Sequence, residues 1–226
     1  MIKAVIFDLD GLLIDSERIS YRIYQELLKP FGIEFSLKEY AENYSGKSAV
    51  KNMDFLIETY HLPWKREEGL KKVGLMEKVG LMEKEFLALG VDLKRGAKEL
   101  LRYLEEAGCK TAMASSSIED RALKILDQHG IRPYFDTFVF GHEVEKGKPE
   151  PDIFLKACEK IGEKPEDCLV LEDSMAGIQA AHAAHIPVIC IPDMKTPDRN
   201  YADMALMVLD SLSDVISYLQ EKAYRL

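Results

Sequence analysis

Residues 2–11 read IKAVIFDLDG, a short and mostly apolar run that ends in two aspartates and a glycine. The run is rich in β-branched residues, which favour strands. It predicts a buried parallel strand with Asp8 and Asp10 at its carboxyl end. Open α/β sheets build their binding sites at that end of the strands. This stretch therefore predicts both a fold class and the place of a site.

The chain after residue 96 alternates between short apolar segments and helical patterns. Strands are predicted at 109–114, 137–140, 168–171, 187–191 and 205–209. Helices are predicted at about 96–107, 118–129, 151–161, 175–184 and 213–222. Strands that alternate with helices of this length indicate an α/β fold built on a doubly wound parallel sheet.

Residues 15–89 differ in character, because Glu, Lys, Leu and Tyr recur there at helical spacing and no strand pattern occurs. We expect a discontinuous core domain of residues 1–14 and 90–226, and an inserted helical cap domain of residues 15–89. Within the insert, VGLMEK at 73–78 is repeated directly at 79–84. Repeat proteins have much longer periods, so a tandem duplication in a tolerant segment is favoured over a functional repeat.

Composition excludes several classes of protein. The chain has 226 residues, of which 47% are hydrophobic, enough for a large buried core. Its net charge is −9 and it has no basic tract, so neither nucleic acid nor an anionic membrane is an expected partner. No apolar stretch approaches the ~20 residues of a membrane helix, and the first one ends at Asp8. We expect a cytoplasmic monomer.

Two acidic pairs follow predicted strands. Asp8 and Asp10 follow the first strand, and their side chains would point to the same side if strand geometry continued. Glu172 and Asp173 follow the strand at 168–171. Four converging acids repel one another unless a cation binds them, and oxygen ligands suit Mg²⁺. A structural pair at the strand end, and a helix cap formed by Asp173 or Ser174, are the alternatives.

Two further groups are placed to bind an anion. Ser115 follows a predicted strand, and Ser116 and Ser117 begin the next predicted helix, whose free amides could hold a phosphate. Lys148 precedes another helix and could reach the same edge of the sheet. An ordinary serine cap and a solvated lysine are the alternatives. Together with the acids, these residues are typical of phosphoryl transfer, in which one carboxylate can act as nucleophile and another can move protons.

Four segments resemble the motifs of the haloacid dehalogenase (HAD) superfamily, in the same order along the chain: residues 8–11 (DLDG), Ser115, Lys148-Pro149 and Glu172-Asp173. The insert after the first motif resembles the cap of the β-phosphoglucomutase and sugar-phosphate phosphatase subgroup. The resemblance implies a Rossmann-like core with a small helical cap. Because position 10 is an aspartate, which can protonate a leaving alkoxide, a true dehalogenase is not expected.

The resemblance also implies a role for each motif residue. Asp8 would be the nucleophile and Asp10 the general acid and base. Magnesium would be bound by Asp8, Asp173 and the backbone carbonyl of Asp10, with support from Glu172. The groups expected to hold the transferring phosphoryl group are Ser115, the Ser116 amide and Lys148.

The expected activity is the hydrolysis of small phosphate monoesters, such as sugar phosphates, through an aspartyl-phosphate. A β-phosphoglucomutase-like phosphosugar mutase is the alternative. Mutases of this type carry a histidine and an arginine where this chain has Ser20 and Ala49, which favours the phosphatase. Lys47 is expected in a cap loop, where it would help to select the substrate, unless it is an ordinary surface lysine. An inactive binding protein of the same fold is an alternative of another class.

Overall fold

The computed structural model describes residues 2–45, 47, 49–78 and 91–223. The chain divides into two compact units. One unit, here called the core unit, comprises Met1–Asp15 and Asp92–Leu226. The other, the insert unit, comprises Ser16–Val91.

A six-stranded sheet forms the centre of the core unit, and every pairing in it is parallel. In chain order its strands are β1 (Ala4–Phe7), β2 (Lys110–Ser115), β3 (Thr137–Phe140), β4 (Cys168–Glu172), β5 (Val188–Cys190) and β6 (Met207–Val208). Their spatial order is β3-β2-β1-β4-β5-β6. This order is that of a doubly wound sheet, so the predicted fold class is confirmed.

The described α-helices connect or surround these strands. In chain order they are α1 (Glu17–Leu28), α2 (Leu37–Asn43), α3 (Ala49–Tyr60), α4 (Arg66–Lys78), α5 (Ala97–Glu106), α6 (Glu119–Gln128), α7 (Asp152–Ile161), α8 (Met175–Ala183), α9 (Arg199–Ala202) and α10 (Leu212–Ala223). The short helix α9 has no counterpart among the predictions, since four residues are too few to show a helical period. None of the described helices is both long and apolar enough to cross a membrane.

The first strand lies in the middle of the sheet. Residue Ile6 of β1 pairs with Ala112 of β2 on one side and with Val170 of β4 on the other. All three side chains are fully buried. The carboxyl ends of β1, β2 and β4 therefore meet at one edge of the sheet. Just beyond β1, the Asp8 amide donates to the carbonyl of Leu171 at 3.1 Å, which continues the pairing into the next residue.

The insert unit is helical, and its described residues contain no strand. Buried aromatic rings form its centre; they include Tyr24, Phe35, Tyr40 and Tyr44. The Tyr40 hydroxyl donates to Glu17 at 2.6 Å, so its polar atom is paired inside the cluster. The first copy of the repeated hexapeptide ends α4, whereas the second copy at 79–84 lies outside the described residues.

Candidate active site

Asp8 and Lys148 form a buried ion pair at the carboxyl end of β1. Asp8 is 6% exposed, and its Oδ1 lies 2.5 Å from Nζ of Lys148. The same ammonium lies 2.6 Å from Oε1 of Glu172, which is fully buried. The single positive charge of Lys148 therefore faces two negative charges. The Asp8–Lys148–Glu172 group thus carries a net charge of −1 when both carboxylates are ionised, in a site with little solvent.

Burial and the surplus of negative charge both raise the pKa of Asp8. Burial raises the pKa of Asp8 to about 7, Lys148 opposes that shift, and the charges of Glu172 and Asp10 add to it. Burial disfavours the charge of Lys148 too, but the carboxylates of Asp8 and Glu172 outweigh it and raise the pKa of Lys148 above its ordinary value. In the metal-free site the lysine thus remains charged, while Asp8 holds a proton more readily than an exposed aspartate does.

The segment from Glu172 to Ser174 shows which residue caps α8, a point that the sequence left open between Asp173 and Ser174. Oε2 of Glu172 accepts from the Asp173 amide at 2.9 Å, and from the amide and hydroxyl of Ser174 at 2.8 and 3.0 Å. Ser174 is the residue that caps α8, since its hydroxyl accepts from the Gly177 amide at 3.1 Å. Because Ser174 forms this cap, the Asp173 carboxylate can serve another function.

Asp8, Glu172 and Asp173 form a group that could hold a metal ion. Each offers a carboxylate oxygen, and these oxygens lie within 4.8 Å of one another. Gly11 leaves room for the group, because a Cβ atom there would lie 2.2 Å from Oδ2 of Asp173. Its φ of +85° is a conformation that glycine adopts without strain. An all-oxygen donor set in this arrangement suits a hard divalent cation.

Asp10 has a different set of partners from Asp8. Its Oδ1 accepts from Nη2 of Arg121 at 2.9 Å, and its Oδ2 accepts from Nη1 of Arg121 at 3.2 Å and from the Ser117 hydroxyl. Both aspartates lie beyond β1, which ends at Phe7. Arg121 is not among the site residues predicted from the sequence. Its one signal there is its closeness to Ser115–Ser117, in the segment that joins β2 to α6.

Ser115 lies at the end of β2 and is 1% exposed. Its hydroxyl accepts from the Ser117 amide at 3.1 Å, which closes a turn. Ser116 is exposed in that turn, and the following helix α6 begins only at Glu119. The prediction that Ser116 and Ser117 begin a helix is therefore wrong, because the hydroxyl of Ser115 binds the backbone of this segment as a turn.

Lys47 lies in the insert unit, between α2 and α3, and is exposed. Its ammonium donates to the carbonyl of Asn43 at 2.5 Å and lies 5.5 Å from the centre of the Phe55 ring. Its neighbours in sequence, residues 46 and 48, are outside the described residues. Its expected role in substrate selection stays a prediction.

A family model for haloacid dehalogenase-like hydrolases matches residues 2–185. The chain belongs to this hydrolase family. The hydrolase is 34% identical over 215 residues to a Drosophila melanogaster protein named "Probable pseudouridine-5'-phosphatase", a match that covers 92% of this chain and 89% of the relative. It is 30% identical over 184 residues to "Phosphorylated carbohydrates phosphatase" of Thermotoga maritima, a match that covers 81% and 82% of the two chains.

Solved structures of the family resemble this hydrolase along its whole length. It is similar to a β-phosphoglucomutase from Clostridium difficile, with a TM-score of 0.75 and 26% identity over 100% of this chain and 98% of the other. The relatives thus include proteins named as phosphatases as well as proteins named as mutases. The predicted membership of the HAD superfamily, and of its β-phosphoglucomutase-like and phosphatase-like part, is confirmed.

Proposed function

We propose that this hydrolase is a Mg²⁺-dependent phosphatase that acts on small phosphate monoesters, with sugar phosphates as its main substrate class. The observation that carries the proposal is the buried Asp8, with Lys148 at 2.5 Å and two further carboxylates beside it. A carboxylate held in this way is a nucleophile that can be shielded from water and balanced by cations. The names of the two phosphatase relatives support the substrate class.

The residues present fit a magnesium ion. The donor set is made of carboxylate oxygens, and Gly11 leaves space beside Asp173. We propose Asp8, Asp173 and the backbone carbonyl of Asp10 as ligands. Glu172 would support them through its contacts with the Asp173 amide and Lys148. When bound, Mg²⁺ offsets the repulsion between the Asp8 carboxylate and an approaching phosphate dianion.

In the first half-reaction, a carboxylate oxygen of Asp8 attacks phosphorus, and the bond from phosphorus to the ester oxygen breaks. Asp10 donates its proton to the departing alkoxide, so that an alcohol leaves and Asp8 carries the phosphoryl group. Lys148 can bind phosphoryl oxygens as it now binds the carboxylates. The Ser115 hydroxyl and the Ser116 amide are proposed to hold the remaining phosphoryl oxygens.

In the second half-reaction, Asp10 accepts a proton from water, and the water oxygen attacks phosphorus. The bond from phosphorus to the Asp8 oxygen breaks, which releases inorganic phosphate and restores the Asp8 carboxylate. Over one turnover Asp10 gives one proton to the leaving group and takes one from water, so it ends in its original protonation state. Lys47 is proposed to contribute to the choice of substrate. The cytoplasmic location and the monomeric state stay predictions from the sequence.

The proposal is tested by phosphate release from a panel of sugar phosphates, polyol phosphates and p-nitrophenyl phosphate, with and without Mg²⁺. We expect Mg²⁺-dependent release that falls by about 10³-fold or more in Asp8→Asn. Asp167→Asn is the matched control, because Asp167 is paired with Lys3 at the opposite end of the strands. Absence of turnover by the wild type on every substrate would contradict the proposal and favour the inactive binding protein.

A mutase remains the second candidate, because a structural relative is named as a β-phosphoglucomutase. A mutase must return the phosphoryl group from Asp8 to a sugar, whereas a phosphatase gives it to water. β-Glucose 1-phosphate with a bisphosphate primer separates the two activities. Formation of glucose 6-phosphate with little free phosphate would favour the mutase, and the reverse outcome would favour the phosphatase.

A further inference from the structure

Arg121 and Ser117 bind the carboxyl group of Asp10 from one side. The guanidinium contacts both carboxyl oxygens, at 2.9 Å through Nη2 and at 3.2 Å through Nη1. The Ser117 hydroxyl donates to Oδ2 and accepts from Nη1 of Arg121 at 2.7 Å. The three side chains therefore form a closed set of hydrogen bonds, here called the Asp10 clamp.

The clamp is built on the segment between β2 and the first turn of α6 in the core unit. Ser117 is held by its amide, which donates to the Ser115 hydroxyl at the end of β2. Arg121 lies in the first turn of α6, and Ser117 lies in the turn just before that helix, so the segment that joins β2 to α6 carries both partners. A planar guanidinium that binds both oxygens of a carboxylate restricts its rotation more than a single hydrogen bond does.

The backbone of Asp10 is fixed separately. Gly11 donates to the carbonyl of Ile14 at 2.9 Å, and Leu13 and Ile14 both donate to the carbonyl of Leu9. These bonds determine the position of the Asp10 Cα atom and leave the side-chain torsions undetermined. The Asp10 side chain is 32% exposed, so packing alone does not restrict it to one conformer.

From this geometry we infer that Arg121 is a positioning residue for the proposed reaction. Together with Ser117 it holds the carboxyl group of Asp10 in the orientation from which Asp10 exchanges a proton with the leaving oxygen. The inference rests on the proposed phosphatase function. Reactions of this kind depend steeply on placement, and an error of about 1 Å can cost about 100-fold in rate.

The inference predicts a dependence on the leaving group that a general structural role does not produce. An alkyl phosphate releases a poor leaving group, whose oxygen must be protonated as the bond breaks. p-Nitrophenyl phosphate releases a stabilised phenolate, which leaves without protonation. Loss of orientation at Asp10 should therefore slow the first substrate class much more than the second.

The experiment compares Arg121→Gln with wild type on the best alkyl phosphate of the panel and on p-nitrophenyl phosphate. We expect kcat/KM to fall about tenfold or more for the alkyl phosphate and less than about threefold for the aryl phosphate. Arg121→Lys should recover only part of the loss, because an ammonium cannot bind both oxygens in the same plane. Arg132→Gln is the matched control, since Arg132 forms an exposed pair with Asp127 at 2.9 Å.

A second comparison separates positioning from folding. In an Asp10→Asn background, Arg121→Gln should cause no further loss on the alkyl phosphate, because both changes act on the same group. Equal losses on the two substrates, no loss on either, or additive losses in the double variant would each overturn the inference. A wild type that hydrolyses neither substrate would instead overturn the proposed function, and the inference with it.

Discussion

Lys148 supplies the positive charge that stabilises two buried carboxylates of the candidate site. Its ammonium binds Asp8 and Glu172 and lies 5.0 Å from the centre of the Phe154 ring. Its side chain is 8% exposed, so removing it would leave two carboxylates buried without a counter-charge. The same contacts keep Lys148 within reach of Asp8, where a phosphoryl group would be transferred.

The raised pKa of Asp8 predicts that protons and Mg²⁺ compete for the site. Burial raises that pKa to about 7 in the metal-free protein, whereas a magnesium ligand must be ionised. We expect the apparent Mg²⁺ affinity to rise as the pH increases from 6 to 8, by up to about tenfold per pH unit below the pKa, and then to level off. Calorimetric titration with Mg²⁺ at several pH values measures this dependence.

The Asp8→Asn variant is the control for this pH dependence. The asparagine side chain does not ionise, so no proton at position 8 competes with Mg²⁺. The variant should bind Mg²⁺ more weakly, with an affinity that varies little between pH 6 and 8. An equally steep dependence in the variant, or a flat profile in the wild type, would contradict the assignment of the raised pKa to Asp8.

At the scale of elements, the junction between β4 and α8 positions the acidic groups. Glu172 ends the strand, Ser174 caps the helix, and Gly177 lies in the first turn of the helix. A Cβ atom on Gly177 would lie 1.7 Å from Oε1 of Glu172. The helix can approach the buried carboxylate this closely only because residue 177 has no side chain.

We predict that Gly177→Ala weakens Mg²⁺ binding and lowers stability. Alanine is about 1 kcal/mol better than glycine within a helix, so propensity alone would stabilise the protein. Here the added methyl group displaces the Glu172 carboxylate, and with it the ammonium of Lys148. The measurements are Mg²⁺ titration and urea unfolding, with an expected destabilisation of about 1–3 kcal/mol.

Gly69→Ala is the matched control for that prediction. Gly69 also lies inside a helix, α4, but its Cβ atom would meet the flexible sulfur end of Met53 at 2.3 Å. We expect unchanged Mg²⁺ affinity in this variant. An unchanged Mg²⁺ affinity in Gly177→Ala would show that the Glu172 carboxylate does not support the metal site.

At the scale of the whole molecule, the strand order gathers residues that are far apart in sequence. Because β1 lies between β2 and β4, Asp8 meets Glu172 and Asp173 although more than 160 residues separate them. A metal ion bound by these acids would join the first strand to the second half of the chain. Such binding stabilises the folded state relative to the unfolded state.

We therefore predict that Mg²⁺ raises the unfolding free energy of the protein. At a free concentration of 100 times Kd the gain is about 2.7 kcal/mol, which calorimetry detects as an increase in Tm. Asp173→Asn should abolish most of the increase, whereas Asp167→Asn should retain it. An equal increase in all three proteins would mean that Mg²⁺ binds elsewhere.

Local sequence patterns are sufficient to predict the fold class and most of the motif residues. The apolar run before Asp8, and the alternation of strand and helix after residue 96, predict the parallel sheet, because such periods depend on neighbours in sequence. The motif residues Asp8, Lys148, Glu172 and Asp173 could likewise be named in advance, since each follows a strand or precedes a helix at the same edge of the sheet.

The contacts between side chains in the site follow only from the tertiary structure. The clamp of Arg121 on Asp10, the turn that Ser115 forms with the Ser117 amide, and the contact of Gly177 with Glu172 all depend on torsions and distances between separate elements. The pKa of Asp8 also depends on burial and on the charges of Lys148 and Glu172, which the fold brings to it from distant parts of the sequence. A sequence pattern carries the periodicity of single elements, whereas electrostatics and close packing act across space, so they follow only from the folded arrangement.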